Sequence, residues 1–154
     1  MSAVSGEEKT RMLFVCLHNS ARSQMAEAFL NHVAAEGFEA ESAGLEPEPL
    51  NPLAIEVMKE AGIDISTNEA KSVFGLYKEG RLYDYVITLC EESQSERCPL
   101  FPGRVTRLEW PFENPATLTG SQEERLTKTR EIRDQIKKRV EGFVGEYSRK
   151  RRGR

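Results

Sequence analysis

The chain has 154 residues, 38% hydrophobic and 31% charged, enough to bury one core and too few for two ordinary domains. Its net charge of −3 is uneven, with 12 Lys and Arg against 4 Asp and Glu from Arg125 onward and 10 against 21 before it, so nucleic acid is not expected as the main partner. Three cysteines, Cys16, Cys90 and Cys98, are too few for a disulfide scaffold and are expected to do chemistry.

Strand-like and helix-like segments alternate, the pattern of an α/β layer fold with a parallel sheet. Arg11 to Leu17 (RMLFVCL) reads as a buried strand. A helix follows Arg22, with Met25, Ala28, Phe29 and Val33 as its apolar face and Gly37 as its stop. Phe38 to Leu45 reads as the second strand, and Pro52 opens a second helix carrying Ile55, Val57, Met58 and Ala61 up to Gly62. A shorter helix over Glu69 to Lys78 is expected after a cap at Ser66 or Thr67. Tyr83 to Cys90 (YDYVITLC) and Val105 to Trp110 read as the third and fourth strands. A long charged helix from Ser121 to about Tyr147 carries Leu126, Ile132, Ile136, Val140 and Phe143/Val144 as its buried stripe. The expectation is one three-layer α/β domain over residues 11–147, with a four-stranded parallel sheet flanked by helices. A flexible N-terminus (1–10) and a basic tail (148–154) lie outside it. No apolar run approaches the roughly 20 residues of a membrane span, and the polar start does not read as a secretory signal, so a cytoplasmic protein without membrane contact is expected.

The informative stretch is VCLHNSARSQMAEA, Val15 to Ala28. A cysteine ends the first strand, a short turn follows, and Arg22 opens the helix, giving Cys-x5-Arg-Ser. Such a loop aims backbone N–H groups of Leu17, His18, Asn19, Ser20, Ala21 and Arg22 at one point, and the helix N-terminus adds partial positive charge there. Arg22 can clamp two oxygens of a tetrahedral anion. The same field favours the thiolate of Cys16, the nucleophilic form, and Ser23 can donate to it. Asn19 suits a left-handed conformation and can tie the loop together. The bland alternative is a buried strand-end cysteine beside an ordinary arginine.

FVCLHNSARSQMAEA resembles the signature of the low-molecular-weight protein tyrosine phosphatase superfamily, and within it the thioredoxin-coupled arsenate reductases. The similarity continues through Ser42-Ala43-Gly44, NPLAIEVMKEAGIDIS (51–66), VITLC (86–90), Cys98-Pro99, WPFENPA (110–116) and REIRDQI (130–136). It implies an arsenate reductase in which Cys16 attacks arsenate, Cys90 displaces arsenite, and Cys98 carries the disulfide outward to thioredoxin. The turn-rich segment between Cys90 and Cys98 would then have to move, because disulfide exchange needs Cα atoms about 4.4–6.8 Å apart. Otherwise Cys90 is a core cysteine at a strand end and Cys98 a free surface thiol.

One departure stands out. The family's general acid is an Asp-Pro pair, and the matching residues here are Asn114-Pro115. An amide gives up no proton at neutral pH. Glu113 could replace it, water could protonate the leaving oxygen, or the site could be weakened. The alternatives are a phosphatase working through a Cys16 phosphocysteine and a non-catalytic oxyanion-binding protein. Neither His18, in the loop, nor His32, read as a packed or boundary residue, pairs with other ligands at metal spacing, so no metal and no cofactor are expected. Trp110 and Phe112 could wall the pocket, with core packing the safer reading. Arsenate or phosphate is the expected ligand, thioredoxin the expected reductant, and a monomer the expected state.

Overall fold

The computed structural model describes residues 9–90 and 96–152. Residues 1–8, 91–95 and 153–154, which include most of the expected flexible N-terminus and of the Cys90–Cys98 connection, lie outside them. The elements run β1 (Thr10–Cys16), α1 (Arg22–Val33), β2 (Phe38–Gly44), α2 (Pro52–Glu60), α3 (Val73–Lys78), β3 (Tyr85–Thr88), β4 (Thr106–Glu109) and α4 (Gln122–Arg152), with a short 3₁₀ turn at Pro115–Thr117. The four strands form one parallel sheet, as expected, and their order is β2-β1-β3-β4. β1 is central and runs apolar on both faces, which parallel strands covered on both sides require.

The side-chain period of two along β1 builds two cores. Met12, Phe14 and Cys16 point to one face, packed against α1, α2 and α4 through Met25, Phe29, Val57, Met58, Ile132, Ile136 and Val140. Leu13 and Val15 point to the other, packed against α3 through Val73 and Leu76. Helices on both faces give the expected three layers. The stripe read along the long helix is buried at Leu126, Ile132, Ile136 and Val140, and the helix continues past Tyr147 to Arg152. Its Arg130 and Arg133 reach Glu60 at the end of α2, at 3.0 and 3.1 Å.

Several expectations need correction. Val33 is 42% exposed and His32 is exposed too, in the last turn of α1, where Leu30 is the buried residue and Asn31 bonds the β2 backbone at Ala40. α2 buries Leu53 and Ala54 with Val57 and Met58, while Ala61 is exposed. Gly62 ends that helix at φ 84°. The third helix is only six residues long and is capped by Ser72, whose side chain accepts from the Gly75 amide, rather than by Ser66 or Thr67. β3 begins at Tyr85, so Tyr83 precedes the strand; it is buried, and its hydroxyl donates to Glu41 at 2.6 Å. Trp110 is a core residue, tilted against Phe14 and Phe143 at centroid distances of 6.0 and 5.8 Å, with the Arg139 guanidinium over its ring.

Candidate active site

The C-terminal end of β1, at the centre of the sheet, is where parallel α/β sheets bind ligands. Cys16 is the last residue of that strand and is 2% exposed. The turn after it is held from outside. The carbonyls of Cys16, Leu17, His18 and Ser20 accept from the amides of Leu45, Glu46, Glu48 and Asn51, at 2.7–3.1 Å. In a trans peptide the N–H points opposite to the carbonyl before it, and the described chain has no cis bond. Pinning those four carbonyls outward therefore turns the N–H groups of Leu17, His18, Asn19 and Ala21 inward. The Asn19 amide does reach the Cys16 sulfur, at 3.2 Å. No side chain caps α1 and its first turn holds no acidic residue, so its N-terminal field is not neutralised locally.

Asn19 organises the loop. It is fully buried, sits at φ 52°, and spends its side chain on four partners. Its Nδ2 donates to Ser23 Oγ at 2.7 Å and Ser42 Oγ at 3.0 Å, and its Oδ1 accepts from the Lys71 amide at 2.8 Å and Gln24 Nε2 at 3.2 Å. Because Ser23 Oγ accepts from Asn19, its own proton is free for Cys16 Sγ, 2.9 Å away. Ser42 Oγ donates a hydrogen bond to Glu27 Oε1 at 2.6 Å. Burial, the dominant cause, pushes the Glu27 carboxyl above its ordinary range, while Ser42 and the Lys71 charge pull it back. Gly44 is what lets β2 approach: an added Cβ would lie 2.8 Å from the Asn19 nitrogen and from the His18 carbonyl carbon.

Arg22 is 3% exposed, and its Nη1 donates to the carbonyls of Phe112 at 3.1 Å and Leu89 at 3.4 Å. The guanidinium is thereby tied to the ends of the β3 and β4 connections. Asn114, two residues beyond Phe112, caps the 3₁₀ turn, its Oδ1 accepting from the Ala116 amide at 3.0 Å. Glu113 pairs with Lys128 of α4 at 3.5 Å, an engagement that a carboxyl aimed at the cradle would have to give up. His18 Nδ1 lies 2.9 Å from the Glu46 carbonyl and 3.4 Å from the Glu48 carboxylate, on the outer side of the loop.

All three thiols are free and buried. Burial pushes the Cys90 thiol up to about 11, with the neighbouring Cys16 charge adding and the Arg22 charge opposing. Cys90 thus shares the electrostatic surroundings of Cys16 and Arg22 and belongs to the same core. Cys98 packs in the core on the opposite face of the sheet and is 5% exposed; its charge adds a smaller upward push on Cys90, and burial raises its own thiol against the pull of Arg107. It is no surface thiol. Among the described residues no group of three or more His, Cys, Asp and Glu could hold a metal ion, and no helix is long and apolar enough to cross a membrane.

The sequence profile of the low molecular weight phosphotyrosine protein phosphatases matches residues 11–152. The chain belongs to that family. Within it, curated relatives include arsenate reductases of Shouchella clausii, 40% identical over 137 residues, and of Bacillus subtilis, 36% identical over 137 residues. Those matches cover 88% and 89% of this chain and 96% of each relative. A solved arsenate reductase from Archaeoglobus fulgidus superposes with a TM-score of 0.69 at 32% identity, over 87% of this chain and 98% of that one. A thioredoxin-dependent arsenate reductase of Corynebacterium glutamicum reaches 0.62 at 30% identity, over 88% and 63%. Glu27 and Glu46, which sequence reasoning did not single out, and Ser42 and Gly44, named there without a role, support this phosphatase-family loop from behind. The Ser42-Ala43-Gly44 tripeptide was the one local signal of them.

Proposed function

We propose that the chain is an arsenate reductase that turns arsenate into arsenite by a relay through Cys16, Cys90 and Cys98, with thioredoxin as the final reductant. The inward amides of the cradle and Arg22 hold the oxyanion, the type of contact that stabilises developing negative charge. The Cys16 thiolate, supported by Ser23 and the Asn19 amide, forms a bond to arsenic(V), and one arsenic–oxygen bond breaks as that oxygen leaves as water. The Cys90 thiolate then attacks Cys16 Sγ. The sulfur–sulfur bond forms, the sulfur–arsenic bond breaks, and its electron pair leaves with arsenic as arsenite. Cys98 attacks Cys90 Sγ, freeing Cys16, and the dithiol of thioredoxin reduces the Cys90–Cys98 disulfide. Two thiols lose the two electrons that arsenic gains.

The observation that carries this reading is Cys90, a second free thiol buried in the same core as Cys16, for which a simple phosphatase has no use. The names of the relatives support it, as does a solved relative described as an arsenate reductase in the phosphate binding state. Up to the final reduction by thioredoxin every protein group in the scheme comes from one chain, consistent with a monomer, and a reducing compartment such as the cytoplasm suits it. The test is arsenate-dependent NADPH consumption with thioredoxin and thioredoxin reductase. Wild type is expected to turn over and Cys16→Ser, Cys90→Ser and Cys98→Ser to stop. Turnover that survives Cys90→Ser or Cys98→Ser, or phosphomonoesterase activity with no arsenate-dependent oxidation, overturns the reading.

A further inference from the structure

Cys98 has to travel. It lies among Leu13, Val15, Val86 and Phe101, and the rings of Tyr77 and Tyr83 stand edge-on to Phe101 at 5.6 and 5.3 Å. Cys90 sits with Met12 and Phe14 on the other face of the sheet. A disulfide between them needs Cα atoms within about 7 Å and Cβ vectors that converge. Whatever holds residues 97–99 in place therefore sets how often Cys98 becomes available.

Among the described residues, polar contacts to Arg107 and Glu46 help to hold them. Arg107 Nη1 donates to the Pro99 carbonyl at 3.2 Å, and Arg97 Nη1 pairs with the Glu46 carboxylate at 2.9 Å. Glu46 is not an arbitrary partner. Its amide donates to the Leu17 carbonyl at 2.7 Å, and its carbonyl accepts from His18 Nδ1 at 2.9 Å. One residue thus holds the first two residues of the anion cradle, Leu17 and His18, with its backbone and the residue preceding Cys98 with its side chain. We propose that Glu46 and Arg97 are positioning residues for the third thiol: their ion pair latches Cys98 in its sheltered position and makes its release depend on the state of the cradle loop. A shift of Leu17 and His18 when an oxyanion binds displaces Glu46 and loosens the latch, so that Cys98 is exposed when there is something to reduce. The purpose of this latch rests on the relay reading, but its existence does not.

The Glu46 and Arg97 side chains are 54% and 43% exposed, so the pair is solvent-screened and its effect is about two- to fivefold. The experiment is native-state alkylation of the fully reduced protein with iodoacetamide, read at Cys98 by peptide mass spectrometry. Glu46→Gln and Arg97→Gln should each raise the Cys98 labelling rate two- to fivefold. High salt should do the same to wild type and little more to the variants. The charge-swapped pair Glu46→Arg with Arg97→Glu should return the rate to that of wild type, a rescue that a merely structural role would not produce. Saturating phosphate should speed Cys98 labelling in wild type and not in Glu46→Gln. Single variants that label like wild type, or a swapped pair that labels like the singles, overturn the latch. A phosphate effect that persists in Glu46→Gln overturns its link to the cradle. None of these readouts involves arsenate turnover, so failure of the reductase assay and failure of the latch are separate results.

Discussion

Gly44→Ala is the sharpest test of the cradle, because it adds one carbon where the structure has no room. The new Cβ would lie 2.8 Å from the Asn19 nitrogen and 2.8 Å from the His18 carbonyl carbon, against an ordinary contact that begins at 3.4 Å. Either β2 or the loop must give by about 0.6 Å, and both atoms are backbone with no rotamer to escape into. The Asn19 nitrogen is the one that donates to Cys16 Sγ, so the displacement falls directly on the nucleophile's support. A misplacement of 1 Å in a reacting geometry costs about a hundredfold, so a loss of roughly tenfold or more in kcat/KM is expected. Overpacking of this kind costs about 1–3 kcal/mol, and in a chain of this size each kcal/mol lowers Tm by about 2–4 °C. Gly37→Ala is the control, since nothing lies within 4 Å of a Cβ there. The measurements are arsenate-dependent NADPH oxidation and thermal unfolding. If Gly44→Ala stays within twofold of wild type and melts with Gly37→Ala, the close approach of β2 does not shape the cradle and the reasoning is wrong.

Ser23→Ala removes the hydroxyl donor to Cys16 and the acceptor of one Asn19 bond, a loss of about 1–3 kcal/mol and hence a five- to hundredfold slower alkylation of Cys16 at pH 7; an unchanged rate would show that Ser23 does not support the thiolate. Burial raises the Cys90 thiol from 9.0 to about 11, so its native labelling should climb about tenfold per pH unit through pH 10, and a plateau by pH 9 would contradict that environment. The folded state holds the Cys90 proton more tightly than the unfolded one, so this group's contribution to stability is whole below pH 9 and lost as pH rises from 9 towards 11. Asn114→Asp keeps a side-chain oxygen to cap the 3₁₀ turn and adds a carboxyl, so Tm should hold while hydrolysis of p-nitrophenyl phosphate rises about tenfold or more with a new limb at high pH; flat hydrolysis would mean that residue 114 does not face the leaving oxygen.

The fold was readable where local pattern and tertiary role agree. The apolar run of β1, Pro52 at the start of α2, Gly62 after its end and the 3.6-residue stripe along α4 each announce their element through sterics or periodicity. Residues 66–71 did not, because their backbone is spent at long range. The Glu69 carbonyl accepts from Gln24, the Lys71 amide donates to Asn19, and the Lys71 carbonyl accepts from the Gly44 amide. After a local turn closed by the Asn68 amide on the Ile65 carbonyl, residues 69–71 are thus tied to the cradle, and the helix waits for Ser72.

The site divides along the same line. Cys16, Asn19, Arg22 and Ser23 fall within eight residues at a strand–helix junction, so their chemistry shows in the spacing. Glu27, Ser42, Gly44 and Glu46 act on that loop only after the parallel pairing of β1 with β2 sets Cys16 beside Gly44, a register that no local motif encodes. Cys98 is the strongest case. Its sequence neighbours Glu96, Arg97 and Pro99 read as surface, yet Phe101 and the ring of Tyr83 close over the opposite face of the sheet and bury it. Three thiols at suggestive positions in a sequence imply a relay, but only the packed fold shows that Cys16 and Cys90 belong to the core on one side of the sheet and Cys98 to the core on the other. A sequence shows which thiols a chain has; which of them share a core, and what shelters the third, is a property of the tertiary packing alone.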